Sequence, residues 1–167
     1  DPESTELHFA LGNLFRRRGE TERAIRIHQN LLARPDLPAD ERAHAEYELG
    51  QDYLKAGLLD RAEETYTRLL DTSYAVQGRR ALLEIYQREK EWHRAIEAAI
   101  ALQEAGAGSR QKEIAQFYCE LAQDALVHMH PDDAMPLLEK ALHADRTSVR
   151  ATILCGDVHL AKGDAEG

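Results

Sequence analysis

Leu11-Gly12-Asn13-Leu14-Phe15 and Leu49-Gly50-Gln51-Asp52-Tyr53 are two copies of one pattern. Each opens with Leu-Gly and places an aromatic three residues after the glycine. Each continues to a second glycine, Gly19 and Gly57, four residues beyond the aromatic. Five residues later comes an alanine: Ala24 in Glu22-Arg23-Ala24-Ile25, and Ala62 in Asp60-Arg61-Ala62-Glu63. The alanine returns as Ala95 in His93-Arg94-Ala95-Ile96 and as Ala134 in Asp132-Asp133-Ala134-Met135, at separations of 38, 33 and 39 residues. A fifth start is visible at Cys155-Gly156, followed by Lys162-Gly163-Asp164. A period of this size marks supersecondary units that stack and bury their apolar faces on one another.

The pattern resembles the tetratricopeptide repeat, whose period is about 34 residues. Antiparallel helices approach to about 8–10 Å only where small residues occupy the crossing. Gly12, Gly50, Ala24, Ala62 and Ala95 suit that role, with Phe15, Tyr53 and Tyr86 as wedges between paired helices. Gly19, Gly57 and Gly163 suit the left-handed residue that ends a helix. The expected fold is an all-α tetratricopeptide-repeat solenoid of antiparallel helix pairs with about nine helices. They fall near 5–18, 21–33, 39–56, 59–71, 75–89, 92–105, 110–128, 131–144 and 148–161. One repeat domain spans 1–167, with repeats near 5–38, 43–74, 76–108 and 115–148 and a partial one at 149–167.

The two long spacings place extended turns at Ala33-Arg34-Pro35-Asp36-Leu37-Pro38 and at Ala105-Gly106-Ala107-Gly108-Ser109. Pro38 with Asp40 and Glu41, and Pro131 with Asp132 and Asp133, suit helix starts. Pro136 predicts a kink or a delayed start in its helix. The fifth repeat stops before its second helix, so a longer parent is expected. That would leave an apolar face near Ile153, Leu154 and Leu160, which also admits a homodimer.

With 21 Lys+Arg against 30 Asp+Glu, the formal net charge is −9. Nucleic-acid affinity rests on cationic contacts that release counterions, so nucleic acid is not an expected partner. Arg16-Arg17-Arg18 is the longest basic run and reads as a solvated helix end. Apolar runs fall short of the roughly 18 residues needed to span a bilayer. Cys119 and Cys155 form no CxxC pair and read as reduced thiols, Cys119 on an exposed inner stripe and Cys155 on a packing position.

Catalytic signatures are absent from the sequence: no GxSxG elbow, phosphate-binding glycine loop or HExxH. His128 and His130 are two apart and diverge on a helix. His28 takes a position usually held by a large apolar residue and reads as packed. Adjacent acids such as Glu63-Glu64 read as a solvated face. A binding scaffold is therefore expected, with no catalytic, cofactor or metal residues. Repeat stacks bind through the first helix of each pair. The candidate groove comprises Phe9, Asn13, Arg16 and Arg17; His44, Tyr47, Gln51 and Leu54; and Arg80, Glu84, Gln87 and Arg88. Aromatic and arginine anchors carry much of the energy of such interfaces. The alternative for Phe9 and Tyr47 is packing between neighbouring repeats. Chaperone-binding members of the superfamily clamp a C-terminal carboxylate with Lys and Asn. Asn13 holds one such place, but Phe9, Tyr47 and Gln51 depart from that set.

More particular segments are Leu11–Glu20, Arg23–Gln29, Tyr53–Glu63, Ile114–Ala122, Ile85-Tyr86-Gln87 and the helix from Trp92 through Ala95-Ile96. They resemble the lipopolysaccharide assembly protein B family of Gram-negative inner membranes, from about residue 5 to the end of the chain. The resemblance implies a parent with an N-terminal membrane helix and a C-terminal rubredoxin-like domain whose four cysteines hold iron or zinc. Neither Cys119 nor Cys155 matches those ligands. It implies cytoplasmic repeats at the inner-membrane face, attached only through the anchor. It also implies an adaptor that brings the lipid A deacetylase to the AAA+ metalloprotease FtsH, opposed by a lipopolysaccharide-sensing inner-membrane protein. The alternative is a general scaffold that assembles other envelope-biogenesis proteins.

Overall fold

The computed structural model describes residues 2–166. Among them are nine α-helices: α1 (Pro2–Arg17), α2 (Thr21–Leu32), α3 (Ala39–Lys55), α4 (Leu59–Thr67), α5 (Ala75–Arg88), α6 (Trp92–Glu104), α7 (Gln111–Val127), α8 (Pro131–Ala144) and α9 (Val149–Glu166). The chain forms two compact units, Asp1–Ile85 and Tyr86–Gly167, with the division inside α5.

In the first unit, α1 packs on α2, α2 on α3 and α3 on α4. Glycine faces a ring at two crossings. A Cβ on Gly12 would lie 2.5 Å from Nε2 of His28, and one on Gly50 would lie 2.6 Å from Cε1 of Tyr66. His28 and Tyr66 are fully buried in the space the glycines leave, beside the buried alanines Ala24 and Ala62. His28 is thus packed, as its position suggested.

The turns after α1 and α3 close in the same way. Gly19 (φ 81°) and Gly57 (φ 78°) are left-handed. Glu20 N–H donates to the Phe15 carbonyl at 2.8 Å, and Leu58 N–H to the Tyr53 carbonyl at 2.9 Å. This satisfies carbonyls that the helix end leaves open. In the second unit the same turn is built on non-glycine residues, Lys90 (φ 60°) and Met129 (φ 62°).

The second unit's core is written in helical spacing. Ala115, Cys119 and Ala122 of α7 meet Ala134, Leu138 and Ala141 of α8 and Ala151, Leu154 and Val158 of α9. Residues at such spacings share one helix face, and the many alanines let the three backbones come close. Trp92 stacks on Phe117 with ring centroids 5.7 Å apart.

Five expectations are corrected. The α4 helix ends at Thr67, not near 71. Thr65 and Thr67 hydroxyls donate to the carbonyls four residues back, and the chain tightens into three-residue bonds from Leu69 N–H to Tyr66 and from Leu70 N–H to Thr67. Pro136 neither delays nor interrupts α8, which starts at Pro131. It removes a single donor near the helix start, opposite the carbonyl of Asp132, an exposed residue that water can reach. Gly163 does not end α9, which continues to Glu166. Cys119 is fully buried, because α9 folds back over that face of α7. Burial pushes its thiol pKa up. Ile153 and Leu160 are exposed as expected, but Leu154 is buried.

Candidate functional site

The first helices of the two leading repeats, α1 and α3, bring a charged cluster and an aromatic ladder together in the first unit. The cluster begins with Asp52, a fully buried carboxylate in the last turn of α3. Its Oδ1 accepts from Arg16 Nη1 at 2.9 Å, and its Oδ2 from His28 Nδ1. An ionised carboxylate only accepts, so Nδ1 of His28 carries the proton. Arg16 Nη2 reaches Oε2 of Glu48 at 2.7 Å, and His44 Nε2 lies 3.4 Å from Oε1 of Glu48. Thus α1, α2 and α3 are joined by one network.

The network shifts the charges that form it. Burial opposes the charge on Arg16, but the carboxylates of Asp52 and Glu48 outweigh it and raise the guanidinium pKa. Burial likewise opposes ionisation of Glu48, yet hydrogen bonds from His44 and Arg16 hold its carboxyl below the usual range. A depressed folded pKa stabilises the fold above the unfolded value of about 4.3, and this contribution is lost as pH falls through the folded value. Urea midpoints should therefore fall between about pH 5 and pH 3. Glu48→Gln should be less stable than the parent at pH 7 and change less over that acid range. Parallel slopes for the two proteins would contradict it.

The ladder starts at Phe9, which is buried and stacks on His44 with centroids 4.0 Å apart. His44 stacks on Tyr74 at 5.8 Å, and Tyr47 leans on Tyr74 at 5.6 Å and on Tyr66 at 6.0 Å. Gln51 ties two hydroxyls together: its Nε2 donates to Tyr47 at 2.8 Å, and Tyr66 donates to its Oε1 at 2.9 Å. Burial raises the pKa of Tyr66 far above the ordinary phenol range, and raises that of Tyr74 as well. These hydroxyls stay protonated donors.

The twelve candidate residues therefore separate. Phe9 and Arg16 are taken up by packing and ion pairing inside the first unit, which corrects their reading as groove anchors. Asn13, His44, Tyr47, Gln51 and Leu54 are half-buried, and Arg17, Arg80 and Glu84 are exposed. Gln87 and Arg88 are exposed and belong to the second unit. Tyr74, Tyr66, Glu48 and Asp52 were missed. Tyr74 lies in the turn ahead of α5, outside the helical pattern. The two acids had a readable signal, a Glu-Asp pair four apart on the face that carries Leu49 and Tyr53.

Helix pairs closed by glycine-ring crossings, with a polar aromatic face on their first helices, define a tetratricopeptide-type interaction scaffold. Tetratricopeptide-repeat family descriptions match residues 7–42 and 47–110, and the chain belongs to that family. It is similar to lipopolysaccharide assembly protein B of Escherichia coli strain K12, with 46% identity over 98% of this chain and 42% of that protein. The Haemophilus influenzae protein of the same name is 37% identical over 95% of this chain and 40% of its own length. The chain thus spans about two fifths of these relatives. Among solved structures, MamA AMB-1 superposes with a TM-score of 0.54 at 18% identity, covering 99% of this chain and 86% of that one. BtubC from P. vanneervenii gives 0.51 at 20% identity, covering 98% and 76%. Both share the fold. Among the described residues no helix is long and apolar enough to cross a membrane.

Proposed function

We propose that this chain is the protein-holding part of an adaptor that presents the lipid A deacetylase to the FtsH protease and so restrains lipopolysaccharide synthesis. The observation that carries the reading is its 46% identity, over nearly its whole length, to a protein named for lipopolysaccharide assembly. The cytoplasmic inner-membrane setting, the lipopolysaccharide-sensing antagonist and the iron or zinc of a rubredoxin-like domain belong to the same proposal. A scaffold needs no chemistry for this task. Holding a client beside a protease raises its effective concentration. The polar aromatic face supports the reading too: half-buried Tyr47 and His44 are rigid contact groups, and Arg17 and Arg80 supply exposed cations on α1 and α5.

The test is calorimetric titration of the chain with purified lipid A deacetylase, with an Arg17→Glu/Arg80→Glu variant alongside. Saturable binding is expected, weakened about tenfold in the variant, because charge reversal at a rim slows encounter and costs contact energy. Absence of binding to the parent chain overturns the proposal. Equal binding by parent and variant removes these cations from the contact.

A further inference from the structure

The second unit carries a cleft of about 520 Å³. Its floor is α7 and its walls are α6 and α8. On α7, Gln111, Ile114 and Tyr118 follow one another at steps of three and four, a single helix face. On α8, Pro136, Lys140 and His143 do the same at steps of four and three. Ile100 of α6 forms the opposite wall. Ile100 is a large apolar residue left exposed, and Pro136 beside it on the lining is exposed as well. The volume is that of a ligand site, and a mostly apolar lining with a few polar groups is the usual composition of one.

The polar groups select the occupant. The Lys140 ammonium sits 5.9 Å from the centre of the Tyr118 ring, a cation–π contact that fixes it at the cleft edge. His143, three residues on, belongs to the same lining, and Glu139 is the one carboxylate in it. In a chain of net charge −9, most of the surface repels an acidic segment. Here a fixed cation and a second donor stand next to exposed apolar surface.

We propose that this cleft is a docking site for an extended segment of a partner protein in which an aliphatic side chain neighbours an acidic one. The aliphatic group covers Ile100, Ile114 and Pro136, and the carboxylate meets Lys140 and His143. The site shares no residue with the face invoked for the deacetylase and stands or falls without it.

The test is a titration of the ¹⁵N-labelled chain with a terminally blocked hexapeptide of alternating leucine and aspartate, followed by amide chemical shifts. A leucine–lysine hexapeptide and decanoate serve as comparison ligands. Shifts are expected at Ile100, Ile114, Tyr118 and Lys140, with the acidic peptide bound more tightly than either comparison ligand. Lys140→Glu should weaken the acidic peptide about fivefold and improve the basic one, as expected for a partly exposed charge pair. Ile100→Asp should abolish both, and unchanged amide dispersion will show that the variant is folded. Shifts outside α6–α8, equal affinity for both peptides, tighter binding of decanoate, or indifference to Lys140→Glu would each overturn the proposal.

Discussion

Asp52→Ala is expected to destabilise the chain by about 3–5 kcal/mol, the range for removing one partner from a buried ion pair. Both oxygens of this fully buried carboxylate are engaged, one by Arg16 and one by His28. Without it, the Nδ1–H of a completely buried histidine loses its acceptor, and Arg16 keeps only Glu48. For a chain of 167 residues the change should lower the melting temperature by about 10 °C. Far-UV circular dichroism reads it directly. Asp52→Asn retains one acceptor oxygen but turns an amide N–H₂ toward a donor, so an intermediate loss is expected. A shift under about 2 °C for the alanine variant would mean that the network does not hold α1, α2 and α3 together. The effect also reaches the binding face. Glu48, which shares Arg16 with Asp52, also holds His44, the middle ring of the Phe9–His44–Tyr74 stack.

The same network shows where the sequence was legible and where it was not. The repeat was readable because its signals are local: Gly12 and Gly50 sit at fixed offsets from Gly19 and Gly57, and the alanines Ala24, Ala62, Ala95 and Ala134 all prove fully buried. Arg16 was misread because a cation in the last turn of a helix has a sufficient local explanation in the helix dipole. Its partners lie 32 and 36 residues away and reveal themselves only when α3 is laid beside α1. Cys119 failed for the same reason, since its cover comes from α9. The turns of the later repeats were placed as well, near 90 and 129, although Lys90 and Met129 adopt the left-handed conformation there without the glycine that announces it. Of the polar aromatic face, the α3 residues Tyr47 and Gln51 lie in the first-helix register that the sequence displays. The ring and hydroxyl that complete it, Tyr74 and Tyr66, lie outside the first-helix register.

Gly50→Ala should destabilise the chain by about 1–3 kcal/mol, the cost of overpacking a filled interior, although alanine is the better helix former by about 1 kcal/mol. The new methyl would stand 2.6 Å from Cε1 and 2.7 Å from Cζ of Tyr66. That ring has nowhere to go: it is fully buried, its hydroxyl is bound to Gln51, and Tyr47 leans on it from the side. The cause can be isolated in a double-mutant cycle with Tyr66→Leu. Leucine vacates the space at the ring's far end, so Gly50→Ala should cost much less in that background and even gain up to about 1 kcal/mol from helix propensity. Urea denaturation of the four proteins gives the coupling. A coupling near zero would mean that the glycine is required by the α3 backbone and not by the ring that crosses it. A coupling above about 1 kcal/mol would make the glycine-ring contact the specific device that sets how closely α3 and α4 approach, and with it the position of the Tyr66 hydroxyl that orders Gln51 and Tyr47 on the binding face.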